Sequence, residues 1–252
     1  MSHSVKHESA RLHVQGHATY IDDLPLVEGS LHAAPILSPY ASATVLSLDT
    51  SLVLASEGVR AVVTADDVPG DQRLATFVHD EPVFASERVD HIGQVLGVVV
   101  ADTHQQARAA AQRLVLKVQA QAPHLNARQS HQQHATVLPS VRVQRGQASE
   151  AMRLAPHQLQ GQLEIGGQEH YYLETQIAYA LPQDNGEWLI HSSTQHPGEV
   201  QHWVAHALHV PMHAVRVVCR RMGGGFGGKE TQAGHLAVWA ALAALKTGRP
   251  VK

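Results

Sequence analysis

Val215-Arg216-Val217-Val218-Cys219-Arg220-Arg221-Met222-Gly223-Gly224-Gly225-Phe226-Gly227-Gly228-Lys229-Glu230 is a β-branched run that breaks into five glycines around one phenylalanine. The valines predict a strand over Val215 to Arg220. The glycines permit positive φ and let a ligand approach the main chain closely. Beyond the loop, Leu236, Trp239, Ala240 and Ala243 fall at helical spacing, and the pattern ends near Gly248 with Pro250 just past it. A strand, a glycine loop and a helix in succession aim backbone N–H groups and a helix N-terminus at one place. That arrangement favours an anion or an oxo-rich cofactor.

The stretch just upstream repeats the arrangement. Trp188 to Thr194 reads as a strand, Ser192-Ser193-Thr194-Gln195-His196-Pro197 as a junction, and Val200, Trp203, Val204, Ala207 and Leu208 as one face of a helix. Pro197 suits the first helical position, and the helix must stop before Pro211. Ligands of α/β proteins gather at such strand ends. The neutral amide of Gln195 there offers a donor and an acceptor without adding charge. Nearer the start, Val45 to Leu48, Val59 to Thr64, Val95 to Val100 and Leu114 to Val118 read as strands. The run Val95-Leu96-Gly97-Val98-Val99-Val100 is continuous, as for a strand covered on both faces. Asp102-Thr103-His104-Gln105-Gln106-Ala107 starts a helix that carries Ala107, Ala110, Ala111 and Leu114. Between the halves, Gln119 to Gln133 is polar and linker-like. Its His131 and His134 have no accompanying carboxylate or cysteine and read as solvated rather than metal-binding. The class is α+β.

The bulk composition excludes several functions. The chain has 252 residues, 44% hydrophobic and 16% charged, with a net charge of -3. No basic stripe marks a nucleic-acid surface. One cysteine, Cys219, rules out a disulfide framework or a cysteine-bound cluster within the chain. Met1 to Glu8 holds no secretory signal, and no run approaches the ~18–20 apolar residues of a membrane span. A soluble protein of the cytoplasm is expected. Twenty histidines make the charge sensitive to pH between about 5 and 8.

Two generic motifs fit the glycine loop incompletely. Gly223, Gly228 and Lys229 match a phosphate-binding loop, giving the alternative of a nucleotide phosphate-binding module over Gly223–Lys229; Glu230 then replaces the hydroxyl that would hold the metal. Gly223, Gly225 and Gly228 also match a dinucleotide fingerprint, but the acidic residue expected ~20 positions on is absent.

The two junctions, taken in order, resemble the molybdenum hydroxylase family, on its xanthine dehydrogenase branch. The resemblance runs from about Gly16 to Lys252. It rests on Gly16-His17-Ala18-Thr19-Tyr20-Ile21-Asp22-Asp23-Leu24-Pro25, Asp66-Asp67-Val68-Pro69-Gly70, Asp80-Glu81-Pro82-Val83, Gly93-Gln94, Gly166 through Glu174, Ser193-Thr194-Gln195 and Arg221 through Glu230. It implies a flexible tail over 1–13, an α/β hammerhead domain over 14–120, a linker over 121–136 and the first part of a molybdopterin-binding domain over 137–252. It implies a molybdenum–molybdopterin cofactor, with Gln195 hydrogen-bonding the oxo group and Phe226 and Gly227 lying against the metal centre through the backbone. None of these is a direct side-chain ligand. Glu230 would bind the purine substrate from the first turn of the following helix, where the macrodipole favours a carboxylate. Gly166 to Glu174 reads as a strand that packs the domain and lines the approach to the cofactor. Arg145-Gly146-Gln147 carries Gln where the family has Asp. By the same resemblance, the catalytic base, a substrate-binding arginine and most pterin contacts lie in chain beyond Lys252. No catalytic residue is then expected in this stretch, which would be inactive alone. Iron–sulfur clusters and FAD would sit on a partner subunit and pass electrons to NAD. An aldehyde oxidase-type hydroxylase is the alternative within the family.

Overall fold

The computed structural model describes residues 5–75 and 78–252. In chain order, Ala10–Val14 form α1, His32–Leu37 β1, Ala43–Asp49 β2, Ser51–Leu54 α2, Val59–Val63 β3, Arg73–Ala75 β4, His79–Pro82 β5, Arg88–Val89 β6, Val95–Ala101 β7, His104–Ala111 α3 and Val115–Ala120 β8. Ala127–Gln132 and Ala148–Leu154 form α4 and α5. Ala178–Pro182 are β9, Trp188–Ser192 β10, Pro197–Leu208 α6, Val215–Val218 β11 and Ala233–Thr247 α7. The described residues up to 121 and from 170 to 252 make one compact unit, and residues 122–169 another.

Strand β7 organises the first half. It lies between β1 and β3 in an antiparallel sheet, with Ala33 opposite Val100 and Val63 opposite Val98. Side chains alternate across a strand. Val99 and Ala101 therefore join Ile36, Val62, Ala107 and Ala110 beneath α3, while Val98 and Val100 join Ala61, Val63 and α7 on the other face. Both faces are covered, as the unbroken apolar run requires. Helix α3 starts where Thr103 accepts a hydrogen bond from the Gln106 N–H at 3.2 Å. A second antiparallel sheet has the order β6-β2-β8.

In the other half β10 is central, antiparallel to β9 and parallel to β11. A parallel pair needs a crossover, and α6 supplies it. Val200, Trp203, Val204, Ala207 and Leu208 face the core, and α6 closes at His209, which takes a left-handed φ of 56° ahead of Pro211. Helix α7 is alanine-rich and buried along most of its length, because β-strands of both halves pack on it. Its Trp239 indole donates to the Val83 carbonyl at 2.8 Å, and Lys246 reaches the Val62 carbonyl at 2.8 Å and Asp67 at 2.6 Å. Residues 250–252 join the sheets: the Leu31 N–H donates to the Pro250 carbonyl at 2.8 Å, while Ala180 and Val251 exchange two bonds of 2.9 Å. One hydrophobic core thus runs through residues on both sides of the expected domain boundary.

Several expectations are corrected. Of the tail expected over 1–13, residues 1–4 lie outside the described residues. In the remainder α1 closes one turn, and Ser9, 2% exposed, accepts from Arg221 Nε at 3.1 Å. The strands expected to reach Thr64, Thr194 and Arg220 stop at Val63, Ser192 and Val218. Gly166 to Glu174 contains no strand; pairing begins at Ala178. The polar linker carries α4, whose first N–H groups donate to Asn126 Oδ1 at 3.0 and 3.1 Å. At α5, Gln147 stands at the N-cap and makes no side-chain cap bond, where an aspartate would accept one. No residue of 122–169 is buried, and Val137, Val143 and Leu159 are almost fully exposed.

Candidate functional site

Because β10 and β11 run parallel, the loops that follow them leave the sheet at the same end. There the two loops bond to each other. The Gln195 N–H donates to the Lys229 carbonyl at 2.9 Å, and the Thr194 hydroxyl donates to the same carbonyl at 3.2 Å. In return Gln195 Oε1 accepts from the Gly227 N–H at 3.0 Å and the Lys229 N–H at 3.2 Å. These two bonds fix the amide, since only its oxygen can accept. Its Nε2 bonds to no protein atom among the described residues, so it is left as a donor beside the loop.

The glycines are required by closeness. A Cβ at Gly225 would lie 2.6 Å from Gln195 Oε1, and one at Gly228 would lie 2.7 Å from the Tyr172 ring. Between them Phe226 takes a φ of 51°, the left-handed region, and leaves its side chain outside at 75% exposure. A bulky residue adopts that conformation only when its surroundings impose it. The Glu230 N–H closes a turn onto the Gly227 carbonyl at 3.4 Å, and its side chain is exposed. Helix α7 begins only at Ala233, so Glu230 stands in the turn ahead of the helix and not in its first turn, as the sequence led us to expect.

Lys229 points the other way. Its side chain is fully buried, and Nζ donates to the Glu174 carbonyl at 2.7 Å, to Ser193 Oγ at 2.8 Å and to Glu174 Oε2 at 3.1 Å. The ammonium also lies 4.7 Å from the centre of the Tyr172 ring. Glu174 Oε2 further accepts from Ser193 Oγ at 2.6 Å and from the Gly223 N–H at 2.7 Å. The carboxylate thus ties the start of the glycine loop to the lysine near its end. This removes the nucleotide phosphate-binding alternative for Gly223–Lys229, because the cation such a module needs is committed beneath the loop. Glu174 Oε1 is buried without a hydrogen-bond partner.

Gln195, Phe226, Gly227 and Glu230 therefore share one junction. Sequence reasoning missed Lys229 as an inward clamp and set Glu174 aside as part of a strand. The available signal was the lysine that closes the run of five glycines. None of the four junction residues offers a cluster of metal ligands, and no group of three or more His, Cys, Asp or Glu suited to a metal gathers among the described residues. Nor is any helix among them long and apolar enough to cross a membrane.

Two family models match the chain. The aldehyde oxidase and xanthine dehydrogenase a/b hammerhead domain matches residues 15–122, and the molybdopterin cofactor-binding domain matches residues 128–252. The chain is 38% identical to aldehyde oxidase 4 of Cavia porcellus over 255 residues, covering 100% of this chain and 19% of that protein. It is 38% identical to the xanthine dehydrogenase/oxidase of Gallus gallus over 247 residues, covering 98% of this chain and 18% of that protein. The chain thus spans less than a fifth of these curated relatives. Among solved structures, the aldehyde oxidoreductase of Desulfovibrio gigas superposes with a TM-score of 0.83 at 26% identity, over 97% of this chain and 29% of that one. Quinoline 2-oxidoreductase of Pseudomonas putida 86 superposes with a TM-score of 0.84 at 25% identity, over 98% and 34%.

Proposed function

The chain belongs to the molybdenum hydroxylase family of oxidoreductases, and on that premise we propose that Gln195 and the 223–230 loop hold one side of a molybdenum–molybdopterin centre that hydroxylates a purine, hypoxanthine or xanthine, on the way to urate. The observation that carries this reading is the orientation of Gln195. Its oxygen is held by the Gly227 and Lys229 N–H groups, so its Nε2 is left to donate to an oxygen-rich group. The residues fit such a group. The loop backbone lies open at Phe226 and Gly227, and the amide adds no charge.

When bound, the cofactor supplies a redox-active metal that accepts two electrons as an oxygen from water is placed on a substrate carbon. This chain's residues position and exclude. Gln195 would donate to an oxygen of the cofactor, and Phe226 and Gly227 would shield one side of it. Glu230 hydrogen-bonds a ring N–H of the substrate, which favours a heterocycle over an aldehyde, since an aldehyde has no such donor. The aldehyde reading is the second choice, supported by equal identity to an aldehyde oxidase and a xanthine dehydrogenase. We assign the catalytic base and the remaining pterin contacts to polypeptide outside these 252 residues. Iron–sulfur clusters and FAD on partner subunits would carry electrons to NAD, with the assembly in the cytoplasm. The exposed apolar side chains of 122–169 are surface for that additional protein.

The test is to assemble the chain with the polypeptides that complete a relative's enzyme, then measure molybdenum content and turnover of xanthine and an aromatic aldehyde. Gln195→Ala is expected to lower turnover by about 10²–10³-fold, as for loss of one positioned donor. Glu230→Gln should depress xanthine turnover more than aldehyde turnover. Unchanged molybdenum content and rates in both variants would refute the proposal, and no xanthine turnover with brisk aldehyde turnover would select the second reading.

A further inference from the structure

We infer that His202 and His206, on the outer face of α6, form a two-imidazole site for a borderline divalent transition metal such as Zn²⁺, Ni²⁺ or Cu²⁺. Residues four apart on a helix share a face. Here the two ring centroids lie 4.0 Å apart with the planes tilted by 56°. A tetrahedral metal with bonds of about 2.0–2.1 Å to nitrogen would hold two such rings about 5 Å apart. The rings need only swing slightly apart, within the broad χ2 range of histidine. His206 is exposed and His202 half-buried, and neither ring has a hydrogen-bond partner among the described residues.

The surroundings favour a cation. His206 lies in the last turn of α6, where the unpaired carbonyls carry partial negative charge. The helix contains no Lys or Arg, and its single carboxylate is Glu199. Asp71 lies against the same turn through its N–H to the His206 carbonyl at 3.0 Å, its own carboxylate held by His79 at 2.6 Å. Among the described residues no third protein ligand joins the pair, so water or another molecule would complete the coordination. Imidazole donors select Cu²⁺ over Zn²⁺ and Ni²⁺ and exclude Mg²⁺ and Ca²⁺, which take oxygen ligands. His202 and His206 stand five and nine residues into α6 from Pro197, about 7.5 and 13.5 Å of helix, so the site is separate from the glycine-loop junction.

Calorimetric titration of Zn²⁺ and of Cu²⁺ into the metal-free 252-residue chain tests this, with His202→Ala, His206→Ala and a control carrying His124→Ala and His157→Ala. One equivalent should vanish, or weaken at least tenfold, in each α6 variant and persist in the control. The Cu²⁺ paramagnetic resonance spectrum should report two imidazole nitrogens in the parent chain and one in each α6 variant. Equal stoichiometry and affinity across parent and α6 variants would overturn the inference. Should His202→Ala disturb folding by circular dichroism, the exposed His206→Asn carries the same comparison.

Discussion

Lys229 shows how much one side chain does here. Removing its ammonium leaves the Glu174 carboxylate in a nearly dry site without its cation, a change that typically costs about 3–5 kcal/mol. Lys229→Met is therefore expected to lower the urea midpoint with the slope unchanged, the outcome that marks lost stability rather than a looser fold. The sequence exposes the lysine as the last residue of a glycine motif but not its direction. That direction is set by a carboxylate 55 positions earlier, and no periodicity connects them. His235 gives a second residue-scale outcome. Burial holds its imidazole below the ordinary histidine range, against the opposing pull of Glu81. The unfolded chain therefore takes up a proton first as pH falls through about 6.5, and stability declines from there downward. Unfolding free energies measured from pH 8 to 5 should show this decline, reduced in His235→Leu. A residue of the slope would remain from His191, lowered likewise by burial and then by Arg216.

At the level of elements, legibility followed burial on one face. Helices α3 and α6 announce themselves because polar residues mark their outer sides, and β7 because its apolar run is long and unbroken. Strand β9, Ala178-Tyr179-Ala180-Leu181-Pro182, is buried at its first four positions and shows no alternation to read. Gly166 to Glu174 has strand-like residues but no neighbouring strand to pair with, so its backbone stays irregular and Glu174 is free to turn onto the loop. The α6–α7 crossing depends on Gly234, where a Cβ would lie 2.0 Å from Trp203 Cε3. That close approach is also invisible in the sequence. Gly234→Ala forces rigid elements apart and should cost about 1–3 kcal/mol, a fall of about 2–4 °C in melting temperature per kcal/mol for a chain of this size.

Across the whole molecule, the polar stretch from Gln119 to Gln133 reads as a division between two domains, yet the core crosses it: Val63 and Val98 pack in one cluster with Ile190, Trp203 and α7. Proteolytic nicking between residues 122 and 169, all outside that core, should leave two pieces that elute together on size exclusion in native buffer and separate in denaturant. Immediate separation in native buffer would contradict a shared core. The bonds around Val251 carry a last implication. Backbone outside long strands and helices ordinarily trades its amide hydrogens with solvent deuterium almost at once. Here Val251 and Lys252 are laced between Ala180 and Leu31, so their hydrogens escape only when the two sheets part, and they should be retained about as long as those of the innermost strands.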